Sequence, residues 1–143
     1  MKTVRDLLAI KGDAIHAVSP EGSVFDALGV MAEKDIGAVL VLEGERLVGI
    51  LSERDYARQV ILKGKTSRET PVREIMTPHV VCVTLERTID ECMALMTDKR
   101  CRHLPVVEGE KVIGVLSIGD VVKAVISEKQ FQIEQLEHYI TQG

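Results

Sequence analysis

The sequence predicts a mixed α/β fold built from two tandem β-α-β-β-α units, packed around a pseudo-twofold axis and followed by a C-terminal helix. Three observations lead to this prediction. The chain of 143 residues repeats itself at a constant offset of 65. Within each copy, apolar residues switch between strand-like and helical spacing. One copy of about 50 residues has too little interior to be stable alone, so two copies are expected to pack on each other.

The repeat is visible by direct comparison. Residues 15–61 align with residues 80–126 without a gap, and 14 of the 47 paired positions are identical. Several of the other pairs exchange one aliphatic residue for another. The two copies share a Gly, a Ser and an Asp in register within GILSERD (49–55) and GVLSIGD (114–120). A fixed period of this length indicates a duplicated supersecondary unit.

A fainter echo precedes each copy, where VRDLL (4–8) matches VREIM (72–76) at an offset of 68. The change of offset corresponds to a longer loop, AIKGDA, in the first copy. We therefore predict four segments. They are a first repeat with the N-terminal segment (1–62), a linker (63–71), a second repeat (72–127) and a C-terminal amphipathic helix (128–143).

Each copy begins with a short apolar stretch, IHAV (15–18) or VVCV (80–83), which we predict to be a strand. Apolar residues then recur at helical spacing from Val24 and from Ile89, which predicts a helix in each copy. Ser and Thr precede these helices, at positions 23 and 88, and suit N-terminal caps.

A hairpin and a final helix complete each copy. The strands AVLVL (38–42) and LPVV (104–107) are each followed by an acidic turn and by a second apolar strand, LVGIL or VIGVL. So short a connection predicts an antiparallel pair, whereas the preceding helix returns the chain to a parallel neighbour. The last helix carries apolar residues on one face, namely Tyr56, Val60 and Ile61 or Val121, Val125 and Ile126.

The three cysteines, Cys82, Cys92 and Cys101, lack the paired spacing of a zinc site, although His79 and His103 lie near them in sequence. Cys92 falls on the apolar face of its helix. We therefore predict a buried structural thiol there and no metal.

The two Ser-x-x-Asp corners admit two interpretations. A Ser followed by an Asp three residues later at a helix start is a capping signal, and it needs no ligand. The same geometry suits a nucleotide, because free N–H groups at a helix start bind phosphate and an acidic side chain accepts ribose hydroxyls. The duplication of the corner, with matching flanking residues, favours the second interpretation.

The repeated pattern of a glycine, a short apolar stretch, [ST]-x-x-D and a helix resembles the CBS domain pair, named after cystathionine beta-synthase. IGAVLVL (36–42), RHLPVVEGEKVIGVLSIGD (102–120) and IMTP (75–78) share this resemblance, which extends from Val4 to about Ile126. It implies a disc-like pair of motifs whose cleft binds an adenosine compound such as AMP, ADP, ATP, NAD or S-adenosylmethionine. It also implies that such pairs often form homodimers.

The resemblance implies roles for nine residues. Asp55 and Asp120 would bind ribose hydroxyls, and Ser52 and Ser117 would support the ribose or phosphate. Strand starts would line the adenine or phosphate edge. The complete predicted nucleotide-binding set is Gly37, Ala38, Ser52, Arg54, Asp55, Arg102, His103, Ser117 and Asp120.

The two predicted sites should differ. Gly37 and Ala38 are small and uncharged, so a flat base could approach closely, whereas Arg102 and His103 suit phosphate. Arg54 would supply a cation inside the first corner, and its counterpart in the second corner is a glycine. Arg54 as a solvated surface residue and His103 as a strand-edge residue remain open alternatives.

Composition narrows the function class. The net charge is −4, from 18 basic and 22 acidic residues without a basic block, so nucleic-acid binding is disfavoured. No apolar run is long enough to cross a membrane and no signal core begins the chain, so we predict a cytoplasmic protein. No catalytic constellation is recognisable, and we predict a regulatory module that is not an enzyme.

Such a sensor needs a separate effector protein to receive its signal. The tail, SEKQFQIEQLEHYITQG, has apolar residues at positions 133, 136 and 140 among charged ones and predicts an amphipathic helix. It could contact the effector, pack on its own domain or pair with a second copy. The alternative function is a ligand-independent assembly protein in which the Ser-x-x-Asp corners are only caps.

Overall fold

The computed structural model describes residues 2–142, with side chains described for residues 2–140. Over this range the chain has six α-helices and five strands. The helices are α1 (Val4–Lys11), α2 (Val24–Lys34), α3 (Glu53–Tyr56), α4 (Val72–Ile75), α5 (Ile89–Lys99) and α6 (Ile118–Gln142). The strands are β1 (Ala17–Val18), β2 (Ala38–Glu43), β3 (Arg46–Ser52), β4 (His103–Glu108) and β5 (Lys111–Ser117). A π-helical turn, Ala57–Ile61, follows α3 directly. The predicted α/β class is confirmed.

The chain forms two compact units whose boundaries differ from those of the sequence repeats. The first-repeat unit contains residues 14–80 and 109–113. The second-repeat unit contains the residues up to 13, residues 81–108 and those from 114 onward. Each unit therefore holds most of one repeat, but residues 109–113 of the second repeat and α4 belong to the first-repeat unit, and α1 belongs to the second-repeat unit.

The first-repeat unit is built on a three-stranded sheet in the order β1-β2-β3. As predicted, β1 is parallel to β2, and β2 is antiparallel to β3. Ser23 caps α2 by accepting a hydrogen bond from the backbone N–H of Asp26. The apolar face of α2 packs with the sheet and α4 into a core of Val24, Ala27, Met31, Val39, Val41, Leu51, Val60, Val72 and Ile75.

The second-repeat unit follows the same plan, with one difference in its first strand. Thr88 caps α5 through a capping box with Glu91, and Cys92 is buried on the inner face of that helix, as predicted. The predicted strand VVCV is reduced to one parallel bridge between Val83 and Val106. In the first repeat, Leu40 N donates to His16 O at 3.0 Å. The residue that aligns with Leu40 is Pro105, which has no N–H to donate.

The short helices that precede the repeats make equivalent contacts. Val4 N donates to Arg87 O at 2.8 Å, and Val72 N donates to Gly22 O at the same distance. These four residues correspond pairwise in the repeat, at offsets of 68 and 65. The echo between VRDLL and VREIM therefore reflects two equivalent docking segments, each seated on the repeat of its own unit.

Two glycines explain how closely these segments approach. A Cβ added to Gly114 would lie 2.9 Å from Leu8 Cδ2, and one added to Gly49 would lie 2.6 Å from Met76 Sδ. Both distances are shorter than real Cβ contacts, so any side chain at either position would force Leu8 or Met76 to move. This close approach gives a packing reason for the identity of Gly49 and Gly114 in the two copies.

The C-terminal helix is not a separate element. The final helix of the second repeat and the predicted tail helix (128–143) form one continuous helix, α6. No Pro occurs between residues 118 and 142 and the one Gly is the second residue of the helix, so nothing in the sequence stops it. The predicted segments also include residues 1 and 143, which lie outside the described residues.

Candidate functional site

The first Ser-x-x-Asp segment forms a corner where β3 ends and α3 begins. Ser52 N and Ser52 Oγ donate to Asp55 Oδ2 at 2.9 and 3.0 Å, and Asp55 N donates to Ser52 Oγ at 3.1 Å. This reciprocal arrangement is a complete capping box. The capping function proposed from the sequence is therefore present at this corner.

The start of β2 lies beside this corner. Glu53 N donates to Gly37 O at 3.0 Å, and Ala38 pairs with Ser52 across the sheet. Four of the predicted site residues, Gly37, Ala38, Ser52 and Asp55, are thus brought together, and we name this group the first corner. Arg54 is exposed, and within residues 2–140 its side chain makes no hydrogen bond or ion pair.

The second Ser-x-x-Asp segment repeats this geometry. Ser117 N donates to Asp120 Oδ2 at 2.8 Å, and Asp120 N donates to Ser117 Oγ at 3.1 Å. Ile118 N donates to Arg102 O at 2.8 Å, as Glu53 N does to Gly37 O in the first repeat. His103, the first residue of β4, follows Arg102.

Lys11, at the end of α1, completes this second group. Its Nζ atom lies 2.6 Å from Asp120 Oδ2 and also donates to Val115 O. The Lys11 and Asp120 side chains are 31% and 23% exposed, so water only partly screens the pair. We name Arg102, His103, Ser117, Asp120 and Lys11 the second corner.

Lys11 was not among the residues predicted from the sequence. The sequence suggested a local cation, Arg54, for the first corner and none for the Ser-x-x-Asp segment of the second. The structure adds Lys11 to the second corner, from a distant part of the chain. The residue that aligns with Lys11 at the offset of 68 is His79, so the echo between the two docking segments contained no signal for a lysine.

The surroundings of Asp120 favour its charged form. Burial raises the pKa of this carboxyl group, but hydrogen bonds from Lys11 and Ser117 outweigh burial, and the pKa is lower than its ordinary value. Asp120 is therefore an anion at neutral pH.

The surroundings of His103 favour its neutral form. Burial is the largest cause of the lowered pKa of His103, and the positive charges of Lys11 and Arg102 lower it further. The negative charge of Asp120 partly opposes this effect. At neutral pH, His103 can thus offer one N–H donor and one nitrogen acceptor.

Both aspartates keep an oxygen that the cap does not use. Every hydrogen bond between Asp55 and Ser52 that involves the carboxylate ends on Oδ2, and the same holds for Asp120 with Ser117 and Lys11. Among residues 2–140, no hydrogen bond to either Oδ1 is found. Capping and acceptance of a ligand hydroxyl are therefore compatible in one side chain.

The first corner lies in the first-repeat unit and the second corner lies in the second-repeat unit. The structure thus brings eight of the nine predicted residues into two groups, and Arg54 lacks a side-chain partner in its own group. The roles predicted for Arg54, Arg102 and His103 in phosphate binding remain predictions.

The sequence and these corners can be compared with known proteins. The family model of the CBS domain matches residues 3–61 and 72–127. The chain belongs to the CBS domain family. The resemblance seen in the sequence is thereby confirmed, and the two matched ranges are the two CBS motifs of this chain.

Relatives and solved structures agree with this assignment. The CBS domain-containing protein CBSX3, mitochondrial, of Arabidopsis thaliana is 37% identical over 99% of this chain and 73% of its own length. The solved CBS domain NE2398 is 52% identical with a TM-score of 0.84, covering 87% of this chain and 98% of its own. A CBS-domain protein of Burkholderia ambifaria MC40-6, named for a role in signal transduction, is 50% identical with a TM-score of 0.85, covering 88% of this chain and 95% of its own.

Membership of this family gives the class of function. CBS domain proteins are generally regulatory modules of signal transduction that bind adenosine ligands, and relatives made of CBS domains alone are regulatory rather than catalytic. Over residues 2–142, no helix is long and apolar enough to span a membrane. The same range contains no cluster of three or more His, Cys, Asp or Glu side chains that could hold a metal.

Proposed function

We propose that this CBS protein is an adenine-nucleotide sensor that acts on a separate effector protein. The supporting observation is the duplicated corner, in which one carboxylate oxygen holds the cap and the other remains available. A ribose carries two adjacent hydroxyl groups that need acceptors, and an aspartate beside a strand end can receive them. AMP, ADP, ATP and NAD all present this ribose, so they are the ligands we propose.

The two corners favour different parts of such a ligand. Gly37 precedes β2 and Ala38 begins it, and neither has charge or bulk, which suits the flat face of adenine. The second corner contains the cations Lys11 and Arg102, together with His103. Charge-assisted hydrogen bonds from such groups are the strong contacts of phosphate sites. We therefore expect the two corners to differ in affinity, and charged phosphates to favour the second.

A ligand-independent assembly protein is the second candidate. The observation that favours it is that both Ser-Asp pairs form caps without any ligand. In that case the aspartates would affect stability alone. The two candidates make opposite predictions for a substitution that preserves the cap.

Asp55→Asn is such a substitution. The amide oxygen of Asn can still accept the hydrogen bonds from Ser52, but its NH₂ group cannot accept a ribose hydroxyl. We expect Asp55→Asn to weaken nucleotide binding by about 1.5–3 kcal/mol, with little change in melting temperature. Asp55→Ala should weaken binding and also destabilise the fold by about 0.5–2 kcal/mol through loss of the cap. Calorimetric titration with AMP, ATP and NAD, together with thermal melts, measures both quantities.

The chain supplies a matched control in Ser23-x-x-Asp26, a third Ser-x-x-Asp sequence at the start of α2. Asp26 lies outside both corners, so Asp26→Asn should leave nucleotide binding unchanged. Normal binding by Asp55→Asn and Asp120→Asn, or no binding of any of the three ligands by the wild-type protein, would favour the assembly protein.

A further inference from the structure

From Ile126 to Ile140, α6 exposes large apolar side chains. Ile126, Ile133, Leu136 and Ile140 are between 56% and 67% exposed. From residue 129 to residue 140 every side chain of the helix is exposed. The tail helix therefore does not pack on its own units, which was one of the alternatives left open by the sequence. A row of exposed aliphatic residues of this length marks an interaction surface.

The spacing of these residues is that of a helix-helix seam. Positions 122, 126, 129, 133, 136 and 140 are separated alternately by four and three residues, with an aliphatic residue at each except Lys129. At about 100° per residue they fall within about 40° of one line along the helix. Alternation of three and four is the a/d pattern of a coiled coil, whereas a helix on a globular core has a wider apolar face. We name these six residues the α6 stripe.

The α6 stripe does not continue the buried face of the helix. Val121 and Ala124 are the buried residues of α6. They lie about 100° or more from the centre of the stripe, at about 100° per residue. Packing of α6 on its own unit therefore leaves the stripe uncovered along its length.

We propose that the α6 stripe pairs with the α6 stripe of a second copy of this chain, in antiparallel orientation. This proposal is independent of the nucleotide-binding function. A second copy is the favoured occupant because its α6 stripe has the same alternating spacing of three and four residues. Side chains of two such stripes can interdigitate along their length. A membrane surface would select a polar face rich in Lys and Arg, but residues 127–140 contain three Glu and one Lys.

Charge selects the antiparallel orientation. In a parallel pair, Lys129 would face Lys129 of the second copy in the same layer of the seam, and like charges would meet. In an antiparallel pair the a positions face d positions, so Lys129 lies opposite Ile133 of the second copy. Lys123, beside the stripe, then lies near Glu137 of the second copy, and their opposite charges attract. In a parallel pair, Lys123 and Glu137 of different copies are about 21 Å apart, from the rise of an α-helix.

Sedimentation equilibrium over a range of protein concentrations tests the surface. We expect the wild-type protein to self-associate, and Ile133→Glu and Leu136→Glu each to halve the mass of the assembly. The matched control is Phe131→Glu, because Phe131 is equally exposed at 61% but lies on the opposite side of the helix. It should leave the mass unchanged. All three positions are exposed, so circular dichroism should show a folded protein in each case.

A charge swap tests the orientation. Lys123→Glu and Glu137→Lys should each weaken association by a few-fold, as expected for exposed ion pairs. The double variant Lys123→Glu/Glu137→Lys should restore the wild-type constant. A monomeric wild-type protein, an unchanged mass for Ile133→Glu and Leu136→Glu, or an equal loss for Phe131→Glu would overturn the proposed surface. Failure of the double variant to restore association would overturn the antiparallel orientation.

Discussion

Lys11 Nζ lies 2.6 Å from Asp120 Oδ2, so the last residue of α1 is ion-paired with the carboxylate of the second corner. The cap of α6 and the lysine both use the same carboxylate oxygen. A ribose that binds Asp120 must therefore share this aspartate with Lys11. Under the proposed function, we expect the ammonium group of Lys11 to lie near the phosphates of the bound nucleotide.

We predict that Lys11→Met weakens ATP binding more than adenosine binding. Adenosine carries no phosphate, so it loses no charge attraction when the lysine is removed. Calorimetry in an Asp55→Asn background measures binding at the second corner alone. The difference between the affinity losses for ATP and adenosine should narrow as the salt concentration rises, because the Debye length is already only about 8 Å at physiological ionic strength. Lys63→Met, at an exposed position of the first-repeat unit, is the control. Equal losses for adenosine and ATP, independent of salt, would show that Lys11 does not contact phosphate.

Arg102→Ala tests in the same way whether Arg102, a residue predicted from the sequence, contacts phosphate. Its backbone carbonyl accepts a hydrogen bond from Ile118, and this contact is retained in the variant. We expect a larger loss for ATP than for adenosine, as for Lys11. A uniform loss for both ligands would indicate that Arg102 shapes the corner without contacting phosphate.

The pKa of His103 is lowered partly by nearby charges, so removing these charges should shift this pKa in a predictable direction. A histidine that is harder to protonate in the folded state contributes stability above pH 6.5, and this stability is lost as the pH falls below 6.5 towards the folded-state pKa. Lys11→Met removes a positive neighbour and should raise the pKa of His103. Asp120→Asn removes a negative neighbour and should lower it. NMR titration of the His103 ring measures both changes, and shifts of the same sign would contradict the arrangement of charges.

The lowered pKa of Asp120 predicts acid sensitivity. Because the folded-state pKa is depressed, the stabilising contribution is present above the unfolded-state pKa of about 3.9 and is lost as the pH falls through the folded-state value. Asp120→Asn should therefore flatten the dependence of the free energy of unfolding on pH below about pH 4. Urea denaturation at a series of pH values measures the slope. A slope equal to that of the wild-type protein would mean that the Lys11 pair contributes no stability.

Gly114→Ala should destabilise the protein by about 1–3 kcal/mol, because the added methyl group overlaps Leu8. The cost should fall in a Leu8→Ala background, where the methyl group has room. This coupling, measured by a double-mutant cycle in urea, tests whether α1 is docked on the second repeat in solution. Gly29→Ala is the control. Gly29 lies inside α2, and a Cβ added there would meet no neighbouring atom within 4 Å outside the local helix backbone, so this variant should stabilise the protein by about 0.5–1 kcal/mol. An unchanged cost of Gly114→Ala in the Leu8→Ala background would contradict the docking of α1.

The parts of the fold that the sequence predicted correctly depend on local pattern. Ser23 and Thr88 cap their helices because an N-terminal cap involves residues only three positions apart. The hairpins could be predicted because a two-residue turn joins two strands that pair antiparallel with each other. The reduced first strand of the second repeat could also have been anticipated, since Pro105 occupies a position whose N–H donates in the first repeat.

The parts that were not predicted depend on contacts between distant residues. The segment VRDLL was seen to echo VREIM, but similarity does not indicate on which repeat a segment docks. Its docking on the second repeat brings Lys11 to Asp120, and this pair has no signature in either local sequence. Arg54 was chosen because it lies inside the Ser-x-x-Asp segment, and its part in ligand binding stays a prediction.

The docking of α1 on the second repeat determines when its contacts can form during synthesis. Residues 4 and 5 are made well before their backbone partners, residues 87 and 85, and Lys11 is made well before its partner Asp120. The contacts of α1 therefore cannot form until the second repeat has been synthesised. Until then its apolar residues Val4, Leu7 and Leu8 have no docking surface, although all of them are buried in the finished protein. A nascent chain arrested before the second repeat would therefore expose these residues to chaperones and to proteases.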